Sequence, residues 1–197
     1  MTDPENVPPI AHKIAVLILQ HPQEQDRDLG TARLTASRLA NVVFKVGLSW
    51  PSLTKALGRE ADPRRWATLY LGSAKASELA PGQEVVALDA KGKPLADQRA
   101  ALSGIQGIIL LDGTWSQAKT LWWRNAWLLK CRRVILGPSR PSHYGKVRRE
   151  PRRDALSTIE AAGMLLARLE GKPAIETALV ASFDEFLANY KEAPKPA

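Results

Sequence analysis

The feature that most constrains the fold is an alternation of short apolar runs with segments of helical periodicity. The clearest run, QGIILLD at 106–112, ends in an acid and leads directly into a helical pattern beginning at Thr114. Comparable runs occur at 13–20, 66–73, 83–89 and 133–136. Each is too short to be a typical helix and has the composition of a buried strand. Strands that alternate with helices predict an α/β domain with a mostly parallel sheet and helices on both faces.

Apolar periodicity places helices at 31 to about 46, 114 to about 129, 156–169 and 178 to about 191. The chain of 197 residues is long enough to bury one core, and we predict a single domain over 13–190. The proline-rich start, 1–12, and the tail, 192–197, are predicted to be flexible extensions.

Positive charge is concentrated in one part of the chain. Eleven Lys and Arg residues stand between Ser116 and Arg153 against one acid, Glu150, so this part carries +10, whereas the whole chain carries +8. Such confinement favours a polyanionic partner, nucleic acid, over an ordinary solvated basic face. The loop at 137–155 is too basic and too rich in proline and glycine to be core. It is also unusually long, and long loops in compact domains are often functional.

The cysteine content and the longest apolar run argue against a disulfide and against a membrane span. A single cysteine, Cys131, excludes an intramolecular disulfide and a cysteine-rich zinc site within this chain. The longest apolar run, IAVLIL, is too short to span a bilayer. We therefore expect a cytoplasmic protein with no membrane contact.

Two strand-to-helix transitions carry polar motifs with the spacing of a capping box. Thr114 with Gln117 follows the strand that ends in Asp112, and Ser157 with Glu160 begins a later helix. Spacing alone favours a purely structural role for both. However, ligands of open α/β sheets bind at the carboxyl ends of strands, where helix N-termini present free amides.

Four of the six tryptophans fall in one predicted helix. Helical spacing puts Trp115, Trp122 and Leu129 on one face, which we predict to be core. Trp123 and Trp127 lie one turn apart on another face, where packing is favoured over base stacking.

Five motifs occur in an order that closely resembles the DTW-domain family, the tRNA-uridine aminocarboxypropyltransferases. They are His21-Pro-x-Glu24, Thr31-x-x-Leu34, Asp112-x-Thr114-Trp115, Ser142-x-Tyr144 with Arg148-x-x-Pro151, and Leu156-Ser157-Thr158-x-Glu160-Ala161. The resemblance runs from about 13 to 190. The chain departs from many members in lacking a cysteine-rich, zinc-binding segment.

The resemblance implies a SPOUT-like fold with a knotted C-terminal part. It also implies a reaction in which S-adenosylmethionine donates its 3-amino-3-carboxypropyl group to uridine N3 of tRNA and methylthioadenosine leaves. No metal is required, because the sulfonium is already an activated leaving group.

The resemblance also suggests roles for individual residues. Asp112 is the catalytic candidate, as a base or as an orienting group. The cofactor-binding candidates are Thr114, Trp115, Leu156, Ser157 and Thr158. Arg148 is an RNA-binding candidate by its motif position, and the positive charge of the loop, rather than the resemblance, adds Lys146, Arg149, Arg152 and Arg153. His21, Glu24, Tyr144 and Glu160 belong to the motifs without an assigned role, and a lone histidine such as His21 is more often structural.

Two other functions fit less well. A methyltransferase of the same fold would use the same donor but transfer its methyl group. A non-catalytic RNA-binding protein would leave the matched motifs without a purpose.

Overall fold

A computed structural model describes residues 7–25, 27–70, 72, 84–137, 142–144 and 156–192. Six strands form one sheet in the order β2-β1-β5-β3-β6-β4. Their bounds are β1 Ala15–Gln20, β2 Val42–Val46, β3 Trp66–Leu69, β4 Val85–Leu88, β5 Gly107–Asp112 and β6 Arg132–Leu136. Neighbouring strands run parallel except β4, which pairs antiparallel with β6 at one edge. The predicted mostly parallel α/β sheet is confirmed.

The helices cover both faces of this sheet, as predicted. They are α1 Ala32–Arg38, α2 Leu53–Leu57, α3 Gln98–Leu102, α4 Trp115–Arg124, α5 Thr158–Glu170 and α6 Pro173–Glu192. Side chains alternate along β1, so Val16 and Ile18 pack in the cluster that includes residues of α5 and α6. Leu17 and Leu19 point to the other face and pack in the cluster that includes Trp127.

The predicted helix from 31 to about 46 is wrong in its second half. The helix ends at Arg38, and Val42–Val46 form strand β2, which pairs parallel with β1. β-Branched residues lose rotamer freedom in a helix and pack well on a pleated sheet. The three valines of this segment therefore extend the sheet instead of the helix.

The predicted helix from 114 to about 129 is interrupted at Asn125. A short 3-10 helix, Ala126–Lys130, follows α4 and changes the direction of later side chains. Trp127 packs in the core, as favoured from the sequence, whereas Leu129 is 69% exposed and Trp115 is 44% exposed. The prediction that these last two residues are core was wrong. For Leu129 it assumed one uninterrupted helix, whereas Leu129 lies beyond the break at Asn125. Trp115 lies in the first turn of α4, where its ring stacks with Tyr70 and stays partly exposed.

The first and last elements of the domain begin earlier than the sequence predicts. Ile10, in the proline-rich start, forms a parallel bridge with Leu39. α6 begins at Pro173, five residues before the predicted start, and proline is well tolerated in the first turn of a helix. Among the described residues, no helix has the length and apolar character needed to cross a membrane.

Asn125 is buried, and its amide stabilises the turn after α4. Its Oδ1 accepts from Trp50 N at 2.8 Å, and its Nδ2 donates to Leu48 O at 3.0 Å and Leu121 O at 2.8 Å. One side chain therefore satisfies backbone groups of the loop at 47–52 and of α4 and joins the two.

We expect Asn125→Ala to lower the free energy of unfolding by about 2–4 kcal/mol, because it leaves buried backbone groups without hydrogen bonds. Urea denaturation measures the change. Asn189→Ala, an exposed substitution of the same type on α6, is the control and should change stability little. Equal effects of the two variants would show that the amide of Asn125 is not important for the turn.

Candidate functional site

The carboxyl ends of β1 and β5 bring a glutamine and an aspartate together. Gln20 and Asp112 are register partners at the ends of these strands. Gln20 Nε2 donates to Asp112 Oδ2 at 2.9 Å, and Thr158 Oγ1 donates to Asp112 Oδ1 at 2.5 Å. Two motifs separated by about 45 residues are thus joined by a direct hydrogen bond, at the sheet edge where the sequence placed them.

Gly113 makes the turn from β5 into α4. Its φ of 155° is strained for a residue with a side chain, and a Cβ there would lie 2.8 Å from Gln117 Cβ. Only glycine lets the chain turn so tightly after Asp112. Thr114 then begins α4 with the predicted capping box: Gln117 N donates to Thr114 Oγ1 at 3.3 Å, and Thr114 N donates to Gln117 Oε1 at 2.7 Å.

The second predicted capping box, Ser157 with Glu160, is also present and does more than begin α5. The buried Glu160 accepts from Ser157 N at 2.9 Å and from Ser157 Oγ at 2.5 Å. It also accepts from Ser142 Oγ at 2.7 Å and from His143 N at 2.8 Å. This carboxylate therefore connects the start of α5 to the described part of the basic loop.

Residues 142–144 are packed against the domain. Tyr144 is buried, its hydroxyl donates to Leu29 O at 2.5 Å, and its ring meets Phe183 edge to face with centroids 4.8 Å apart. His143 Nδ1 lies 2.8 Å from Asp184 Oδ1. The sequence excluded the loop at 137–155 from the core, and for Tyr144 that was wrong, because aromatic burial there outweighs the polar composition of its neighbours.

The Thr31-x-x-Leu34 motif also supports α5. The buried Thr31 Oγ1 accepts from Ile159 N at 3.3 Å, which satisfies one of the free amides in the first turn of that helix. Three sequence motifs, beginning at Thr31, Ser142 and Leu156, thus meet at the N-terminus of α5.

Trp115, three residues after Asp112, contributes to an aromatic stack. Its ring is parallel to that of Tyr70 at 6.1 Å, and Tyr70 in turn stacks on Trp122 at 4.3 Å. The Arg133 guanidinium lies 5.4 Å from the Tyr70 centroid, and its Nε donates to Tyr70 O at 2.8 Å. Burial raises the pKa of Tyr70, so this ring stays a neutral phenol near neutral pH.

Three candidate residues lie away from Asp112 or contact it only through the backbone. His21 Nδ1 accepts from Gln23 N and caps a short 3-10 helix, while its own backbone N–H donates to Asp112 O. The buried Glu24 carboxylate lies 3.0 Å from Arg27 Nε. Leu156 lines a cavity of about 330 Å³ between α5 and α6, together with His143 and Glu160.

The RNA-binding candidates Lys146, Arg148, Arg149, Arg152 and Arg153 lie outside the described residues. Within the described part of the chain, no cluster of His, Cys, Asp and Glu is arranged to hold a metal ion. Cys131 is buried, and that burial raises the pKa of its thiol to about 12, which leaves it unsuited to act as a nucleophile.

Sequence reasoning missed Gln20 and Gly113. Gln20 ends an otherwise apolar strand and is buried, and a buried glutamine next to a candidate acid is a usable signal. Gly113 stands inside the Asp112-x-Thr114 motif, where the position was treated as variable.

The chain is similar to three curated proteins, each named tRNA-uridine aminocarboxypropyltransferase 2. The Drosophila melanogaster protein is 34% identical over 176 residues, which is 88% of this chain and 63% of that protein. The Macaca fascicularis protein is 32% identical over 83% of this chain and 50% of its own length. The Mus musculus protein is 31% identical over 88% of this chain and 54% of its own length.

The chain therefore spans between 50% and 63% of the length of these relatives. No solved structure matches it. The sequence profile of the DTW domain matches residues 3–191, nearly the whole chain. This match, together with a structure that joins Asp112 of one motif to Thr158 of another, shows that the chain belongs to the DTW domain family.

Proposed function

We propose that this protein is a tRNA-uridine aminocarboxypropyltransferase. It transfers the 3-amino-3-carboxypropyl group of S-adenosylmethionine to uridine N3, in the cytoplasm and without a metal. The main observation behind the proposal is that Gln20 and Thr158 both donate hydrogen bonds to Asp112 at the carboxyl edge of the sheet in a DTW domain. The curated relatives support it through their name.

The polar atoms at the carboxyl edge of the sheet can accept hydrogen bonds from a ligand that carries N–H donors. Gln20 Oε1 is buried and has no hydrogen-bond partner among the described residues. Each Asp112 oxygen accepts one hydrogen bond and keeps a further lone pair. An unsatisfied buried acceptor is costly, so a donor such as the ammonium of an amino acid or the N3–H of uracil would stabilise this site.

In the proposed reaction, the Asp112 carboxylate accepts the hydrogen bond of uracil N3–H and takes the proton as that nitrogen forms its new bond to carbon. When bound, S-adenosylmethionine supplies the electrophilic carbon beside its sulfonium, and methylthioadenosine leaves with the electrons of the broken C–S bond. Gln20 and Thr158 hold the carboxylate in one orientation. Trp115 and Thr114, at the start of α4, line the same edge.

The SPOUT-like knot stays a prediction. The chain between β6 and α5 would have to pass through such a knot, and 138–141 and 145–155 lie outside the described residues.

Incubation with S-adenosylmethionine and unmodified tRNA should release methylthioadenosine and leave a uridine enlarged by the aminocarboxypropyl group. Chromatography of the nucleoside products separates this from methyl transfer, which releases adenosylhomocysteine. Calorimetry after treatment with a chelator should still show cofactor binding. Formation of adenosylhomocysteine, or cofactor binding that needs zinc, would contradict the proposal.

Asp112→Asn should keep the fold and cofactor binding and lower turnover by about 100-fold or more, because the amide does not take the proton. The substitution is nearly isosteric. The Gln20 amide can rotate so that its oxygen accepts from the new Asn Nδ2, while Thr158 still donates to the remaining oxygen.

Glu185→Gln, an exposed carboxylate on α6, is the matched control and should keep full turnover. Circular dichroism and the melting temperature show whether both variants fold. Near-normal turnover of Asp112→Asn would reduce Asp112 to a residue that shapes the turn before α4.

The basic loop should hold the phosphate backbone of tRNA. Replacing Arg149 and Arg152 with alanine should weaken tRNA binding and reduce the slope of log affinity against log salt by about one for each phosphate that is no longer neutralised. Cofactor affinity should stay unchanged, because neither arginine belongs to the two capping-box motifs that begin α4 and α5. Filter binding at several salt concentrations measures the slope.

Lys55→Ala with Lys191→Ala removes the same charge from exposed positions on α2 and α6 and is the control. It should leave the slope nearly unchanged. If the two arginines pair with acids of the domain instead, their double variant will lose thermal stability and keep the wild-type slope.

A further inference from the structure

The most exposed large hydrophobic residues of the described chain lie close together in sequence. Trp123, at the end of α4, is 70% exposed, and Leu129, in the 3-10 helix that follows, is 69% exposed. A tryptophan this exposed is uncommon, because burying its ring is strongly favourable. Trp127, which lies beyond the break at Asn125, is buried and donates through Nε1 to Trp50 O, so it differs from Trp123 in being part of the core.

All charged residues in the stretch of sequence that contains Trp123 are positive. Residues 113–130 contain three cations and no acid. Lys119 stands four residues before Trp123 and shares its helical face, and Arg124 and Lys130 are exposed. We call Lys119, Trp123, Arg124, Leu129 and Lys130 the α4 surface.

A groove of about 570 Å³ adjoins this surface. Leu129 and Lys130 of the α4 surface line it, together with Trp122 on its apolar side. Its charged lining has one acid, Asp89, and four cations, Arg64, Lys130, Arg132 and Arg133. A groove lined by both apolar and cationic side chains suits a nucleotide, which presents a flat base and a phosphate.

The α4 surface is linked to the candidate active site through the same helix. α4 begins three residues after Asp112, and eight residues at 1.5 Å each place Trp123 about 12 Å along the helix axis from Trp115. Trp122 both lines the groove and belongs to the stack that includes Tyr70 and Trp115. A polynucleotide is long enough to reach both places at once.

We propose that the α4 surface is a second contact for the RNA substrate, in which an unpaired base stacks on Trp123 and its phosphates lie near Lys119 and Lys130. This inference rests on the proposed function for the identity of the RNA. RNA is favoured over a second copy of this chain, because a copy with net charge +8 would bring like charge to a cationic face. Protein interfaces also exclude charged residues from their centre.

The experiment measures binding of a fluorescent twelve-nucleotide oligouridine by anisotropy, without cofactor. Trp123→Ala should weaken binding by about 5- to 150-fold, the usual loss when one stacking platform is removed. Trp123→Phe keeps a ring and should restore most of the affinity. Tyr190→Ala, an exposed aromatic on α6, is the matched control and should bind like the wild type.

Salt dependence separates stacking from charge. Trp123→Ala should lower affinity equally at every salt concentration, because it removes no phosphate contact. Lys119→Ala with Lys130→Ala should reduce the salt slope by about 0.7 for each phosphate of the single strand that is no longer neutralised. Unchanged affinity of Trp123→Ala, or an equal loss in Tyr190→Ala, would overturn the proposal. A concentration-dependent dimer that Trp123→Ala abolishes in ultracentrifugation would overturn it in favour of self-association.

The proposed function and the proposed RNA contact at the α4 surface can be refuted independently of each other. If the wild type releases methylthioadenosine from unmodified tRNA and Trp123→Ala changes neither oligouridine affinity nor the KM for tRNA, the proposed function stands and the RNA contact is wrong. If no methylthioadenosine is formed and Trp123→Ala still weakens oligouridine binding, the RNA contact stands and the proposed function is wrong.

Discussion

The buried carboxylate of Glu160 is the group on which the candidate site depends. A charge removed from water is tolerated only when hydrogen bonds replace its hydration. Glu160 receives such bonds from the backbone and hydroxyl of Ser157, from the Ser142 hydroxyl and from the His143 backbone. Removing any of these donors would leave the charge less well satisfied, so the carboxylate makes the start of α5 and the described part of the basic loop mutually dependent.

By holding the start of α5 in place, Glu160 also determines the position of the Thr158 hydroxyl that binds Asp112. Ser157 caps α5, and Thr158 is therefore held in the first turn, where its hydroxyl reaches the carboxylate at the end of β5. Gln20 approaches the same carboxylate from the neighbouring strand, because parallel register places Gln20 opposite Asp112. A carboxylate held from two sides loses little entropy when a substrate binds, and positioning of this kind is a major source of catalytic rate.

Sequence reasoning succeeded where one local rule decides the structure. The strand QGIILLD and both capping boxes follow from apolar runs and from short-range hydrogen bonds, and they are present in the structure. It failed where tertiary contacts decide. Helical periodicity extended over Val42–Val46, but pairing with β1 makes that segment a strand. The exposure of Leu129 depends on Asn125, whose buried amide ends α4 through bonds to Leu48 and Trp50. The orientation of Asp112 depends on Gln20, about ninety residues away.

The hydrogen bond between Asp112 and Thr158 also relates the basic stretch of the chain to the candidate site. Their hydrogen bond closes a long loop of chain at the candidate site, and the +10 stretch between Ser116 and Arg153 lies wholly inside that loop. The loop leaves the site through α4, returns through β6 and passes residues 142–144, which Glu160 holds close to the starting point. The five described cations of this stretch lie in α4, the 3-10 helix that follows it and β6, segments that leave from or return to the same sheet edge; they are Lys119, Arg124, Lys130, Arg132 and Arg133. Their positive field is therefore tied by topology to the residues proposed to act on RNA.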